Sequence, residues 1–154
     1  MFEKHLIVMP EQVFRTKEEV LHYLTHLEND RVKDADGYEK DVLEREATFP
    51  TYTIDGIAIP HAKTDSVSEP FVMYARLKAP VHWGEEDGED AKQVFLLGVP
   101  KTGKNGESAN LHLKILTHLS KKLMHDDFRS GLLNAESVDE IYQQLKKLEE
   151  DLNV

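Results

Sequence analysis

Asp55-Gly56-Ile57-Ala58-Ile59-Pro60-His61-Ala62 is a glycine-opened apolar run that a proline stops and a histidine follows. Two isoleucines around a small residue favour a strand, and Gly56 supplies the turn into it. Pro60 fixes the backbone entering His61, and the small Ala62 leaves room for another molecule to come close. A histidine delivered at a strand end stands where rigid scaffolds present functional groups. The same residues are also compatible with an ordinary loop histidine.

Upstream, the pattern is first strand-like and then helical. Residues 5–9 are a short apolar burst closed by Pro10, which predicts a first strand. Thr16-Lys17-Glu18-Glu19 is a capping box, because the Thr16 and Glu19 side chains can each satisfy an amide at a helix start. Behind it Val20, Leu21, Leu24 and Leu27 recur at helical spacing. A second helix is predicted over 38–47, with Val42 and Leu43 inward and Pro50 closing it.

Downstream, residues 51–53, 56–59, 71–77 and 93–99 are β-favouring runs separated by Gly, Pro and acidic segments. Asn110 predicts the cap of a helix whose apolar face is Leu111, Ile115, Leu116, Leu119 and Leu123. Asp126 or Asp127 starts a short helix through Phe128 and Leu132. Ser137-Val138-Asp139-Glu140 is another capping box, ahead of Ile141, Leu145 and Leu148. One strand, two helices, several strands and three helices make a layered α/β domain rather than a repeating βαβ chain. No Pro/Gly/Ser linker divides the chain, so residues 1–154 are read as a single domain.

Hydrophobic residues at 40% and charged residues at 31% fit a globular chain and exclude a disordered one. The net charge of −10 argues against a broad nucleic-acid surface, yet leaves room for a local pocket holding one phosphoryl group. No apolar run approaches the roughly 20 residues that span a bilayer, and the start lacks a signal-peptide layout. The expectation is a cytoplasmic protein without membrane insertion. The absence of cysteine excludes disulfides, thiol catalysis and cysteine-ligated zinc. Eight histidines leave imidazole as the nucleophile, base or ligand at neutral pH.

Gly56-Ile57-Ala58-Ile59-Pro60-His61 resembles the phosphohistidine signature of enzyme IIA domains of the bacterial sugar phosphotransferase system, fructose/mannitol type. Glu44-Arg45-Glu46-Ala47 ahead of Pro50-Thr51 resembles that family's upstream arginine motif. Lys78-Ala79-Pro80-Val81-His82-Trp83 resembles the stretch preceding a central strand, and residues 93–99 that strand. Leu111-His112-Leu113-Lys114-Ile115-Leu116 resembles the family's second-histidine helix. In the family's order, these motifs cover about residues 15–148.

The resemblance implies a three-layer α/β/α sandwich with a small mixed β-sheet. It implies a phosphoryl relay in sugar uptake, in which phospho-HPr phosphorylates His61 and His61 passes the group to a IIB component. Membrane association is then peripheral, through IIB and its permease. His112 and Arg45 would stabilise the phosphoryl oxygens and orient the nucleophile, with no cofactor and no metal. A relay of this kind also predicts His61 in a shallow depression ringed by apolar side chains.

Each supporting residue has a plainer reading. An Asn110 cap would place His112 in the first helical turn, where the dipole favours an anion and a neutral ring. A half-buried helix histidine is its alternative. Arg45 offers a permanent charge and a planar fork, or else a solvated charge paired with Asp41 or Glu44. His22 and His26 have the i, i+4 spacing of helical metal ligands but lack the zinc-protease glutamate, so they are read as surface histidines. Residues 98–105 nearly match a phosphate-binding loop but fail at Asn105 and Pro100, and are read as a polar loop. Residues 85–90 carry five acids without calcium-loop spacing, and are read as solvated. Two further functions stay open: a regulatory IIA-like protein, and a metal-binding hydrolase using His61, His112 and a carboxylate.

Overall fold

The computed structural model describes the backbone of residues 2–101 and 107–152, and the side chains of residues 2–101 and 114–150. A 3₁₀ turn at Lys4–Leu6 precedes β1 (Ile7–Val8), α1 (Lys17–Thr25) and α2 (Ala35–Thr48). Then come β2 (Ile57–Ala58), β3 (His61–Thr64), β4 (Phe71–His82) and β5 (Asp90–Pro100). Three helices close the chain: α3 (Glu107–Leu123), α4 (Asp126–Asn134) and α5 (Val138–Leu152).

The sheet order is β1-β4-β5-β2, with β3 also pairing β5. β4 and β5 are antiparallel, and the short strands β1, β2 and β3 add parallel to them. Strand alternation divides the core in two. Val94 and Leu96 of β5 share one cluster with Val20, Leu21 and Leu24 of α1 and Tyr38 and Val42 of α2. Phe95 and Leu97 share the opposite cluster with Ile115 and Leu119 of α3, Leu132 of α4, and Ile141 and Leu145 of α5. This is the expected three-layer α/β/α arrangement around a mixed sheet.

Caps fix several boundaries as predicted. Thr16 Oγ1 accepts from Glu19 N at 3.2 Å, while Glu19 Oε1 accepts from Arg15 N at 3.3 Å. Ser137 Oγ accepts from Glu140 N at 3.2 Å, and Glu140 Oε2 from Glu136 N at 2.8 Å.

Other boundaries move. α2 begins at Ala35 rather than 38, because Asp34 is its cap and accepts from Gly37 N at 3.1 Å. Residues 51–53 form no strand; Tyr52 makes one isolated bridge to Ala58. Residues 85–89 join β4 to β5, and Asp90 already belongs to β5. Gly98, Val99 and Pro100 lie in β5, so the first part of the near phosphate-binding motif is strand rather than polar loop; residues 102–106 lie outside the described residues. α3 starts at Glu107, one turn before Asn110. Glu107, Ser108 and Ala109 are compatible with a helix start, with an acid at its positive end. His112 therefore stands in the second turn, and the first-turn argument for it fails.

Candidate functional site

β2 and β3 are two pieces of one edge strand. Ile57 pairs with Gln93 and Ala58 with Val94; past Ile59-Pro60, His61 pairs with Leu97 and Ala62 with Gly98, in unbroken register. Pro60 has no amide to offer a ladder, but its carbonyl still accepts from Leu97 N at 3.0 Å. The turn into β2 needs positive φ at Asp55 (49°) and Gly56 (81°). His61 thus opens a strand instead of following one into a loop. Alternation puts Ala62 into the α1–α2 core and Ile57 and Ile59 into the other.

The His61 ring is set by its own backbone. Nδ1 lies 2.8 Å from the Ile59 carbonyl oxygen. A carbonyl only accepts, so the proton sits on Nδ1 and the lone pair on Nε2. Burial pushes the His61 pKa below its ordinary value; the Ile59 bond opposes this, and the Arg45 charge adds to it. At neutral pH the ring is therefore neutral and nucleophilic at Nε2.

A cleft of about 550 Å³ opens beside it, lined by Arg45, Lys63, Thr64, Asp65 and Lys101 among others. Arg45 stands in the last turn of α2, and its Nη1 donates to the Phe49 carbonyl at 2.8 Å. Among the described residues no ion pair joins Arg45 to Asp41 or Glu44. Asp41 instead accepts from Thr64 Oγ1 at 2.5 Å. The expected apolar ring is overturned: Ala62 is the single apolar side chain among the described lining residues. Arg45, Lys63 and Lys101 alternate there with the acids Asp41, Glu44 and Asp65 and with the hydroxyls of Thr48, Thr64 and Ser66.

The sequence reading does not include Lys63 and Lys101. Lys63 lies two residues from His61 on the same strand face, a signal that β3 would have supplied had it been foreseen. Lys101 reaches the cleft because its amide donates to the Thr64 carbonyl at 3.1 Å, a contact between distant segments. The side chain of His112 lies outside the described residues. Around His61, no described cluster of histidines and carboxylates is close enough to share a cation.

Buried polar contacts hold the frame. Glu46, 3% exposed, accepts from Thr51 N, Thr51 Oγ1 and Trp83 Nε1, each at 2.6 Å. Tyr38 Oη donates to the Leu97 carbonyl at 2.7 Å, fastening α2 to the strand that pairs with His61.

The family model described as "Phosphoenolpyruvate-dependent sugar phosphotransferase system, EIIA 2" matches residues 1–148. A fructose-specific EIIA component of Haloferax volcanii is 42% identical over 137 residues, covering 88% of this chain and 86% of that protein. Larger curated relatives also match, and the chain spans 16% to 20% of three of them. The crystal structure of IIA mannitol from Escherichia coli superposes with a TM-score of 0.75 at 25% identity, covering 94% of this chain and 99% of that one. IIA mannitol in its complex with phosphorylated IIB mannitol, from the same organism, gives 0.77 at 23% identity, covering 96% and 97%. That second likeness is one of fold.

Proposed function

This chain belongs to the EIIA 2 family of the phosphoenolpyruvate-dependent sugar phosphotransferase system, and we propose that His61 is the residue that carries its phosphoryl group. Phospho-HPr is the donor and a IIB component the acceptor. The chain acts in the cytoplasm as one phosphotransferase domain. The 42% identical fructose-specific relative supports a sugar of the fructose class.

The Nε2 lone pair attacks phosphorus in line. The new P–Nε2 bond forms as the bond to the donor breaks, and the electron pair leaves with the donor. Nδ1 keeps its proton throughout, and the Ile59 carbonyl stabilises the positive charge that the ring acquires. In the second transfer Nε2 is the leaving group and recovers its lone pair, so neither step needs a base, a metal or a nucleotide. Positioning and charge compensation do the remaining work. Arg45 offsets the charge on the equatorial oxygens, with Lys63 and Lys101 of the same cleft adding positive potential. His112 orients the group, a role that rests on the family motif.

The observation that carries this reading is the Nδ1 contact to Ile59 at 2.8 Å, which leaves the nucleophilic lone pair on Nε2. Phospho-HPr should transfer one acid-labile, base-stable phosphoryl group to the wild type and none to His61→Ala. Wild-type acceptance by His61→Ala would overturn the assignment.

A further inference from the structure

We propose that His22, His26 and Glu39 form a binding site for a zinc-class divalent cation on the α1–α2 face, apart from the phosphotransfer cleft. His22 lies in the last turn of α1, and His26 caps that helix. One turn apart, their rings stack with centroids 4.3 Å from each other. The glutamate that the local sequence lacks comes from across the helix pair. Glu39 of α2 places both carboxylate oxygens 3.1 Å from His22 Nδ1, and Oε1 3.8 Å from His26 Nδ1. One donor atom from each of the three residues falls within 4.8 Å of the others.

These separations suit a shared ion. Ligands bound at about 2.0–2.1 Å to a tetrahedral cation stand about 3.3 Å apart along each edge. The two observed nitrogen–oxygen distances bracket that value, and with every donor atom within 4.8 Å of the others, rotamer shifts of the exposed rings are what must close the set. Asp36 Oδ1 lies 2.8 Å from His26 Nε2, the outer carboxylate that fixes a ligating imidazole and raises its basicity. His26 Nδ1 also contacts the His22 carbonyl at 2.9 Å and Thr25 Oγ1 at 3.1 Å. Binding exchanges those contacts, and any proton on Nδ1, for the cation. Two imidazoles and one carboxylate select zinc, cobalt or nickel over magnesium or calcium, and water completes the shell. None of the three residues lines the His61 cleft.

The rival is a pair of histidine–carboxylate contacts that tie α1 to α2 with no ion. Calorimetric titration of zinc chloride into the metal-stripped full chain decides between them. One saturable zinc per chain is expected, lost in His22→Gln/His26→Gln, retained in His61→Ala, and weakened about tenfold in Asp36→Asn. Cobalt should give the visible absorption of a tetrahedral site in the wild type but not in Glu39→Gln. The histidine and Asp36 side chains are solvent-accessible, so circular dichroism without metal should match the wild type. Absent saturable binding, binding unchanged in the double variant, or binding lost with His61 would each overturn the site.

Discussion

The Trp83 indole donates to the buried Glu46 carboxylate at 2.6 Å, across 37 residues of chain. The same carboxylate takes the amide and hydroxyl of Thr51. The last turn of α2, which carries Arg45, is thus bound both to the segment leading into β2 and to the end of β4. Two motifs recognisable separately in the sequence meet in one buried bond.

Breaking this triad should cost stability. Trp83→Phe removes one donor to a buried carboxylate. Glu46→Gln sets an amide NH₂ among groups that donate. Each should destabilise the fold by about 1–3 kcal/mol, the range for losing a buried partner. Urea unfolding measures it, and midpoints within error of wild type would contradict the assignment.

Arg45 should govern both the His61 proton and the transfer rate. Arg45→Gln removes a cation that helps hold the His61 pKa below 6.5, so the pKa should rise while burial still restrains it. Nitrogen-15 NMR of the ring reads the shift and also the Nδ1–H tautomer. Protonating Nε2 removes the nucleophile, so acceptance from phospho-HPr should fall only as pH drops below 6.5 in the wild type. The fall should begin at a higher pH in the variant. Acceptance at neutral pH should slow about 10- to 100-fold. An unchanged or lower pKa would remove Arg45 from the site.

Gly98→Ala should damage the sheet beside the site. A Cβ there would stand 2.5 Å from the Phe71 ring and 3.1 Å from Val67. Overpacking of this kind costs about 1–3 kcal/mol. Because Gly98 pairs with both Ala62 and Phe71, the strain lies between β3 and β4. A variant that melts at the wild-type temperature would show that the ring can move aside.

His112 should support transfer without holding phosphate covalently. His112→Ala should still be phosphorylated at His61, more slowly, and should pass the group on poorly. Peptide mapping that locates phosphate on His112 in the wild type would reverse the roles.

Signals acting within a few residues were legible in the chain. The Thr16–Glu19 and Ser137–Glu140 caps, the helical spacing of Leu111 to Leu123, and the run into Pro60-His61 follow from bonds and periodicities confined to one or two turns. They sufficed for the helices and the central strands, because a local geometry satisfies its own amides or buries its own face; the motif at His61 was legible through its resemblance to the family signature. Even there, an equally local cap hid the true start of α2: Asp34 outcompetes Tyr38 as the boundary. The bounds of β4 and β5 depended on pairing, since a strand lasts as long as its neighbour supplies hydrogen bonds.

What the tertiary structure alone decided is where distant side chains meet. Nothing near His22 or His26 announces Glu39, which arrives because α1 packs on α2. Glu46 reads as one more helix charge until Thr51 and Trp83 close over it. His61 owes its motif to six consecutive residues, but its depressed pKa to burial, and its charged surroundings to Arg45 and Glu44 from a helix, Lys63 from its own strand and Lys101 from the end of β5. Sequence specifies which groups are present; their desolvation and the distances between charges exist only once the layers have packed.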